Sequence, residues 1–567
     1  MTVHFFRTRR DRLLPWLAAA TVHLLCFVMC LWWFPGALWA AEGCVTCHQD
    51  RLAGFAVGHS FGAQNCTTCH RGDPAAETQT AAHTGLVAFP GNMSNAPQLC
   101  GPCHEQRVAE VQAGLMHTGS GMVRTTRRVF GEPPVGHGSA ALEHLTQSPA
   151  DTLLRKLCAG CHLGQDKTRH ALDTVRDRGG GCLACHLNGY PEGRHPTLST
   201  KVSDQRCFGC HSRSGRIALN YVGLAEVDET ALQKQPTASM GRLADGRLVQ
   251  RTESDAHHRA GMGCIDCHTG TGLMGGAGER EHQDQAVDIG CRDCHANRSV
   301  RIGVENWPAS LRVALQRLPF ELTPGQQFLV SARFATPLWN IRVERHNDTE
   351  KLLLYSKSGA VPEISPREIP LYSERDHPLS AEHHRLTCSA CHSRWAPRCE
   401  GCHLEYDEDA PQWDHVLRRK TPGRWRQRRW RIGHGLPTLG VDTEGRIAPF
   451  IPGMILTIDH FAWTTPKFRR LFAVTSPHTV GKSRSCVSCH QSTTALGLGA
   501  GSLSRKDGQW SFLPAAEALV DGLPADAWIR LDAQQPGAGT RPGQRALNTA
   551  EIVGILEAPL TLPAKGK

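Results

Sequence analysis

Aromatic residues are scarce in this chain, at 6% of 567 positions, although the apolar fraction as a whole is 40%. An interior built mainly from aromatic side chains is therefore not what the composition offers. Methionine is rarer still, with nine residues, which leaves few thioethers for metal ligation. Long apolar runs are confined to the beginning: beyond about residue 39 no stretch has the length and apolarity of a membrane span. Gly (56) and Pro (34) are plentiful, as are cysteine (24) and histidine (31), and it is these last two that carry the information.

Twenty-four cysteines are too many for cytosolic thiols, and their placement is not that of a disulfide scaffold. Twenty-two of them form eleven C-x-x-C pairs, and a histidine follows each pair. The pairs with their histidines are Cys44, Cys47 and His48; Cys66, Cys69 and His70; Cys100, Cys103 and His104; Cys158, Cys161 and His162; Cys182, Cys185 and His186; and Cys207, Cys210 and His211. The series continues with Cys264, Cys267 and His268; Cys291, Cys294 and His295; Cys388, Cys391 and His392; Cys399, Cys402 and His403; and Cys486, Cys489 and His490. Two thiols three residues apart on a helical turn share a face and can form thioethers with the two vinyl groups of one porphyrin. The next imidazole is then held under the ring as the proximal iron ligand. Zinc ribbons need four ligands per metal and no obligatory following histidine. The pattern therefore points to eleven covalent haem c groups, with iron as the metal. No pair ends in lysine, so the lysine-ligated catalytic haem of cytochrome c nitrite reductases is not indicated.

A saturated iron transfers electrons, whereas an open sixth position binds substrate, so the distal ligands decide the chemistry. Twenty histidines lie outside the motifs, enough to ligate every iron twice. Those upstream of a motif suit ligation of a neighbouring haem: His257 and His258, His282, His383 and His384, and His478. His59, His83, His117, His170, His195 and His415 are further candidates, with His137, His144, His346, His377, His434 and His460 behind them. Mostly bis-histidine haems imply low potentials.

The basic start (Arg7, Arg9, Arg10, Arg12) and the apolar segment from about Leu13 to Trp39, which holds Cys26 and Cys30, read as a signal peptide or an N-terminal membrane anchor over residues 1–41. Export to the periplasm is the expectation, with membrane contact only through that segment. Residues 42–295 form an eight-haem N-terminal domain, 296–387 a haem-free, β-rich insert, 388–490 a three-haem C-terminal domain, and 491–567 a haem-free tail. Within the insert, Gln327 to Phe334, Trp339 to Glu344 and Lys351 to Tyr355 look like short strands. The fold class expected is a multihaem cytochrome c, mainly α with extensive loops and a small β-rich insert, with a haem-packed core and low regular secondary structure. Only six residues separate His392 from Cys399, at most about 25 Å fully extended, so the ninth and tenth sites should be close neighbours.

The formal charge of +10 does not imply nucleic acid, because 22 ionised propionates would bring it to about −12. Arg418 to Arg431 (R-R-K-T-P-G-R-W-R-Q-R-R-W-R) is expected to neutralise propionates or to meet an acidic partner rather than nucleic acid.

Several stretches resemble large multihaem cytochromes of bacteria that respire metals and metalloid oxyanions: Cys207 to Glu226, His257 to Met274, His384 to His403, and the segments T-P-G-R-W, P-F-I-P-G-M and P-H-T-V-G-K-S-R-S-C. Such cytochromes are similar to those encoded with porin-like and rhodanese-like partners in selenite and tellurite reduction clusters. The chain departs from that pattern at Met274, Gly275, Gly276, Ala277, Gly278, where Met-Gly-Asp-Gly is expected. The resemblance implies electron transfer in anaerobic or metal and metalloid respiration, from an inner-membrane quinol oxidase to an outer-membrane porin–cytochrome conduit or a terminal reductase. Two other classes stay open: a multihaem reductase of a sulfur, nitrogen or selenium oxyanion at a five-coordinate haem, and an oligomeric filament or porin-docked conduit.

Overall fold

The computed structural model describes residues 43–51, 57–136, 138–168, 178–188, 195–213, 215–233, 237–276, 278–295, 301–307, 321–346, 349–364, 383–532 and 538–560. The expected leader, with Cys26 and Cys30, and the candidates His137, His170 and His377 lie outside them. Among the described residues no helix is long and apolar enough to cross a membrane.

The chain divides into two compact units, one from residues up to Pro90 together with Asn188–Leu198, the other from Gly91–Leu187 and Ser199 onward. In the first, short turns such as Gly43–Cys47, Thr67–His70 and Gln79–Ala82 alternate with loops. Backbone bonds from Gly43 to Pro74 (3.0 Å) and from Val87 to His70 (2.7 Å) tie them together.

In the second unit, α1 (Gly101–Ala113) starts with Pro102 in its first turn, where a missing N–H costs nothing. Helix α2 (Ser120–Phe130) buries Val123, Val129 and Phe130 and stops at Gly131, whose φ of 73° suits glycine at a helix C-terminus. Further on, the chain builds a seven-stranded mixed sheet from β1 (Ala396–Asp407), β2 (Arg424–Gly435), β3 (Thr438–Val441), β4 (Ile447–Asp459), β5 (Lys467–Val474), β6 (Ala538–Gly539) and β7 (Arg545–Ala546). The path runs β2-β1-β4-β3-β7, and β5 joins β4 to β6. β1 is antiparallel to β2 in one register from Ala396↔Gly435 to Asp407↔Arg424, left unpaired at Gly401 (φ 97°), and parallel to β4 over Cys402↔Leu456 to Glu405↔Asp459. The last helix, α3 (Thr549–Glu557), carries a capping box in which Asn548 and Glu551 satisfy each other's backbone N–H.

This architecture corrects the expected fold class. The protein is not mainly α and not haem-packed: its longest strands have 12, 12 and 13 residues, and the sheet encloses apolar cores of its own. Trp528 lies flat on Phe472 (ring centres 4.5 Å apart, planes at 4°) and against Phe450 (4.8 Å). Gly440 makes room for it, since a Cβ there would meet the indole at 2.4 Å. A second cluster unites Val129, Phe130 and Leu153 with Leu404, Trp425, Leu456 and Ile458. Arg470, buried beneath the tail, donates to both carboxylate oxygens of Asp521 (2.6 and 2.8 Å) and to the carbonyls of Leu523, Pro524 and Ala527. The tail beyond residue 491 thus supplies core as well as strands β6 and β7. The signal was obscured because Pro449 and Pro452 interrupt β4, and because β2 reads as a basic patch.

Candidate haem and metal centres

Ten of the eleven motifs sit on helical turns: Gly43–Cys47, Thr67–His70, the start of α1, the irregular turns Leu154–Cys158 and Ala159–Cys161, Cys182–His186, Asp204–His211, Cys264–Cys267, Cys291–His295, Cys388–His392 and Val487–His490. In the first, second, third, seventh and eleventh, the histidine N–H returns to the carbonyl of the first cysteine at 2.8–3.0 Å. Such a turn places both thiols on one side with the imidazole beside them. The tenth motif, Cys399–His403, instead lies inside β1.

Two of the turns are fastened by a residue that pattern reading passed over. In G-C-I-D-C-H and G-C-R-D-C-H the buried carboxylates of Asp266 and Asp293 accept the N–H of Gly263 (2.7 Å) and Gly290 (2.8 Å), capping the turn that presents the cysteines. The signal was available as an acidic residue three positions after a glycine.

Among the described residues, six motif histidines face a histidine from elsewhere in the chain. Ring centres are 6.2 Å apart for His48 and His83, 6.1 Å for His70 and His195, and 5.3 Å for His162 and His117. The others are His268 with His478 at 6.1 Å, His295 with His257 at 6.1 Å, and His490 with His383 at 5.9 Å. Two imidazoles sharing one metal at about 2 Å per bond would have ring centres about 6 Å apart.

The other ring nitrogen is engaged in many of them. Nδ1–H donates to a backbone carbonyl in His70 (Val87, 2.9 Å), His186 (Ser199, 2.9 Å), His392 (Gly481, 3.0 Å) and His490 (Ile555, 2.7 Å). It does the same in His117 (Gln112, 2.9 Å), His195 (Pro196, 2.8 Å) and His478 (Ser476, 2.7 Å), while in His257 it donates to the carboxylate of Asp255 (2.8 Å). That fixes the tautomer and leaves Nε2 as the electron-pair donor, the arrangement usual for metal-ligating histidine. Burial, reinforced by His117, holds His162 down at about 3, and burial together with His478 and His211 holds His268 at about 4, so both rings are neutral at pH 7. The Nε2 of His162 is buried without a hydrogen-bond partner, as a ligand atom would be.

Cysteines of different motifs also meet. The thiols of Cys100 and Cys182, Cys161 and Cys210, Cys207 and Cys264, and Cys291 and Cys388 interact directly. Burial and then Cys207 push Cys185 up to about 11, and burial and then Cys294 push Cys267 up to about 12. Burial and Cys489 raise Cys391. The third to ninth motifs and the eleventh are thereby linked into one series of neighbours.

The remaining candidates fall elsewhere. His258 packs edge-on against Tyr221 (5.3 Å), His59 beside Phe61 (5.9 Å), His282 against Gly121, and His415 against Gly160 of the fourth motif, its Nδ1 buried without a partner. His384 flanks His383 just before the ninth motif. His434 bonds Gln250 (3.0 Å), and His460 nests among Tyr406, Trp425 and Phe461. Arg418, Arg426, Arg428, Arg429 and Arg431 all face carboxylates of this chain: Asp166, Asp407, Glu405, Glu226 and Glu400.

No family model, curated protein sequence or solved structure matches the chain. The donor set of the ten helical motifs, paired thiols beside an imidazole, fits haem c.

Proposed function

We propose that this chain is an exported multihaem c-type cytochrome that carries electrons between redox proteins. The supporting observation is the pairing of six motif histidines with six others at 5.3–6.2 Å, on turns that present two thiols to the same side. Haem c bound there supplies one-electron chemistry at iron. The cysteines would provide the covalent anchor, and the paired imidazoles, oriented by their Nδ1 bonds, would hold the iron, a donor set that favours electron transfer over substrate binding. Contacts between the thiols of different motifs place neighbouring sites side by side, which supports hopping from one to the next. On this reading the compartment is the periplasm and the partners are an inner-membrane quinol oxidase on one side and an outer-membrane conduit or terminal reductase on the other, in anaerobic metal or metalloid respiration.

EPR and near-infrared magnetic circular dichroism of the oxidised protein test the proposal. Low-spin bis-histidine signals are expected throughout. A stoichiometric high-spin haem would replace the carrier with a reductase acting at an open iron, and absence of haem would end the reading.

A further inference from the structure

Resting on that reading, we infer that the mature protein carries ten haems and that its tenth C-x-x-C-H motif, Cys399–His403, is a segment of sheet whose two thiols stay free. Each thioether of haem c forms by adding S–H across a vinyl double bond: the C–S bond forms, the S–H bond breaks, and its hydrogen goes to the neighbouring vinyl carbon. No oxidant is consumed, but both sulfurs must reach one ring with the histidine beneath it.

In β1 they point apart. The β1–β2 register is the same on both sides of Gly401, with Cys399↔Ile432 and Glu400↔Arg431 before it and Cys402↔Arg429 and His403↔Arg428 after it, while Gly401 itself is unpaired and has a φ of 97°. Ile432 and Arg429, three residues apart on β2, take opposite faces, and so do the side chains paired along it, with Cys399 and His403 on one face and Glu400, Cys402 and Leu404 on the other. The surroundings agree with this alternation. Cys402 is 3% exposed and packs with Leu404, Leu456 and Ile458, whereas His403 is exposed. On the first face Trp430 lies over Gly401, so close that a Cβ there would meet it at 2.8 Å. The motif is also held from both sides, by β2 and, at Cys402 and His403, by β4. A porphyrin on Cys402 would have to enter a filled core, and turning the motif helical would break both ladders.

Intact-mass measurement of the purified, denatured holoprotein, with reduction, alkylation and peptide mapping, decides the matter. Ten covalent haems, with alkylation among the motif cysteines confined to Cys399 and Cys402, is the expected result. Eleven haems with neither cysteine labelled overturns the inference while leaving the electron-carrier reading intact, and a haem-free chain with every motif cysteine labelled overturns both. The double variant C399A/C402A should keep the same haem-to-protein ratio, and loss of one haem from it would also overturn the inference.

Discussion

The ninth and tenth motifs carry the same five-residue pattern six residues apart, and they fold differently. Cys388–His392 is a helical turn, tied to the loop before the eleventh motif by His392 Nδ1 to Gly481 (3.0 Å) and Arg484 N–H to Cys391 (2.9 Å). Cys399–His403 is the middle of a 12-residue strand with a partner on each side. The pattern therefore specifies chemistry without encoding its own backbone. It becomes a turn where the flanking chain leaves its N–H and C=O groups free to bond locally, and a strand where two long neighbours compete for them.

The largest effect should come from weakening the sheet that holds the tenth motif. Trp528→Ala removes the ring stacked on Phe472 and should cost about 3–5 kcal/mol, read from urea unfolding. Next, His478→Ala should convert the site of His268 from low-spin to high-spin, one site per chain in EPR, whereas His403→Ala should leave the spin count unchanged. An equal change in both would erase the contrast between turn and strand motifs.

Asp255→Asn should raise one reduction potential. Its carboxylate, 1% exposed, accepts from His257 Nδ1 and lends that imidazole negative character, which favours the oxidised iron. A tenfold change in the balance of oxidation states would be about 60 mV in a redox titration. Cys402→Ala should cost only packing, about 1 kcal/mol in urea unfolding, and no haem, whereas Cys391→Ala should break a thioether detectable by mass.

The smallest effect concerns acid. Burial alone would raise Glu551, but Arg545, the Asn548 N–H and Arg385 hold it down at about 2, below its ordinary 4.5. Its contribution to docking α3 is complete above pH 4.5 and fades as the pH falls toward 2. In Glu551→Gln the acid-induced change in far-ultraviolet circular dichroism should flatten over that window, and an unchanged profile would remove this carboxylate as the cause.

The inventory of thiols and imidazoles was legible because it depends only on residue identity at short spacing: C-x-x-C-H names its two thiols and its imidazole wherever it stands. Of the twelve histidines favoured by position, six face a motif histidine among the described residues. The sheet was not legible. Its core joins Phe450 and Phe472 to Trp528, Leu547 and Ile552 of a tail that shows no pattern on its own, and prolines interrupt its longest strand. The basic stretch was read as a surface for propionates or partners, yet its arginines answer Glu226, Glu400 and Asp407, acidic residues placed opposite them by folding.

Sequence alone thus determined which thiols and imidazoles stand at the short spacing that the proposed haem attachment uses. Tertiary structure decided which of them meet: His478 reaches His268 from far downstream, Cys291 touches Cys388, and Cys399 and Cys402 are turned to opposite faces of a sheet. The reason is physical, since bonding capacity belongs to a side chain, whereas a shared metal site requires two distant segments to be brought within a few ångströms, and only the packing of the whole chain sets that distance.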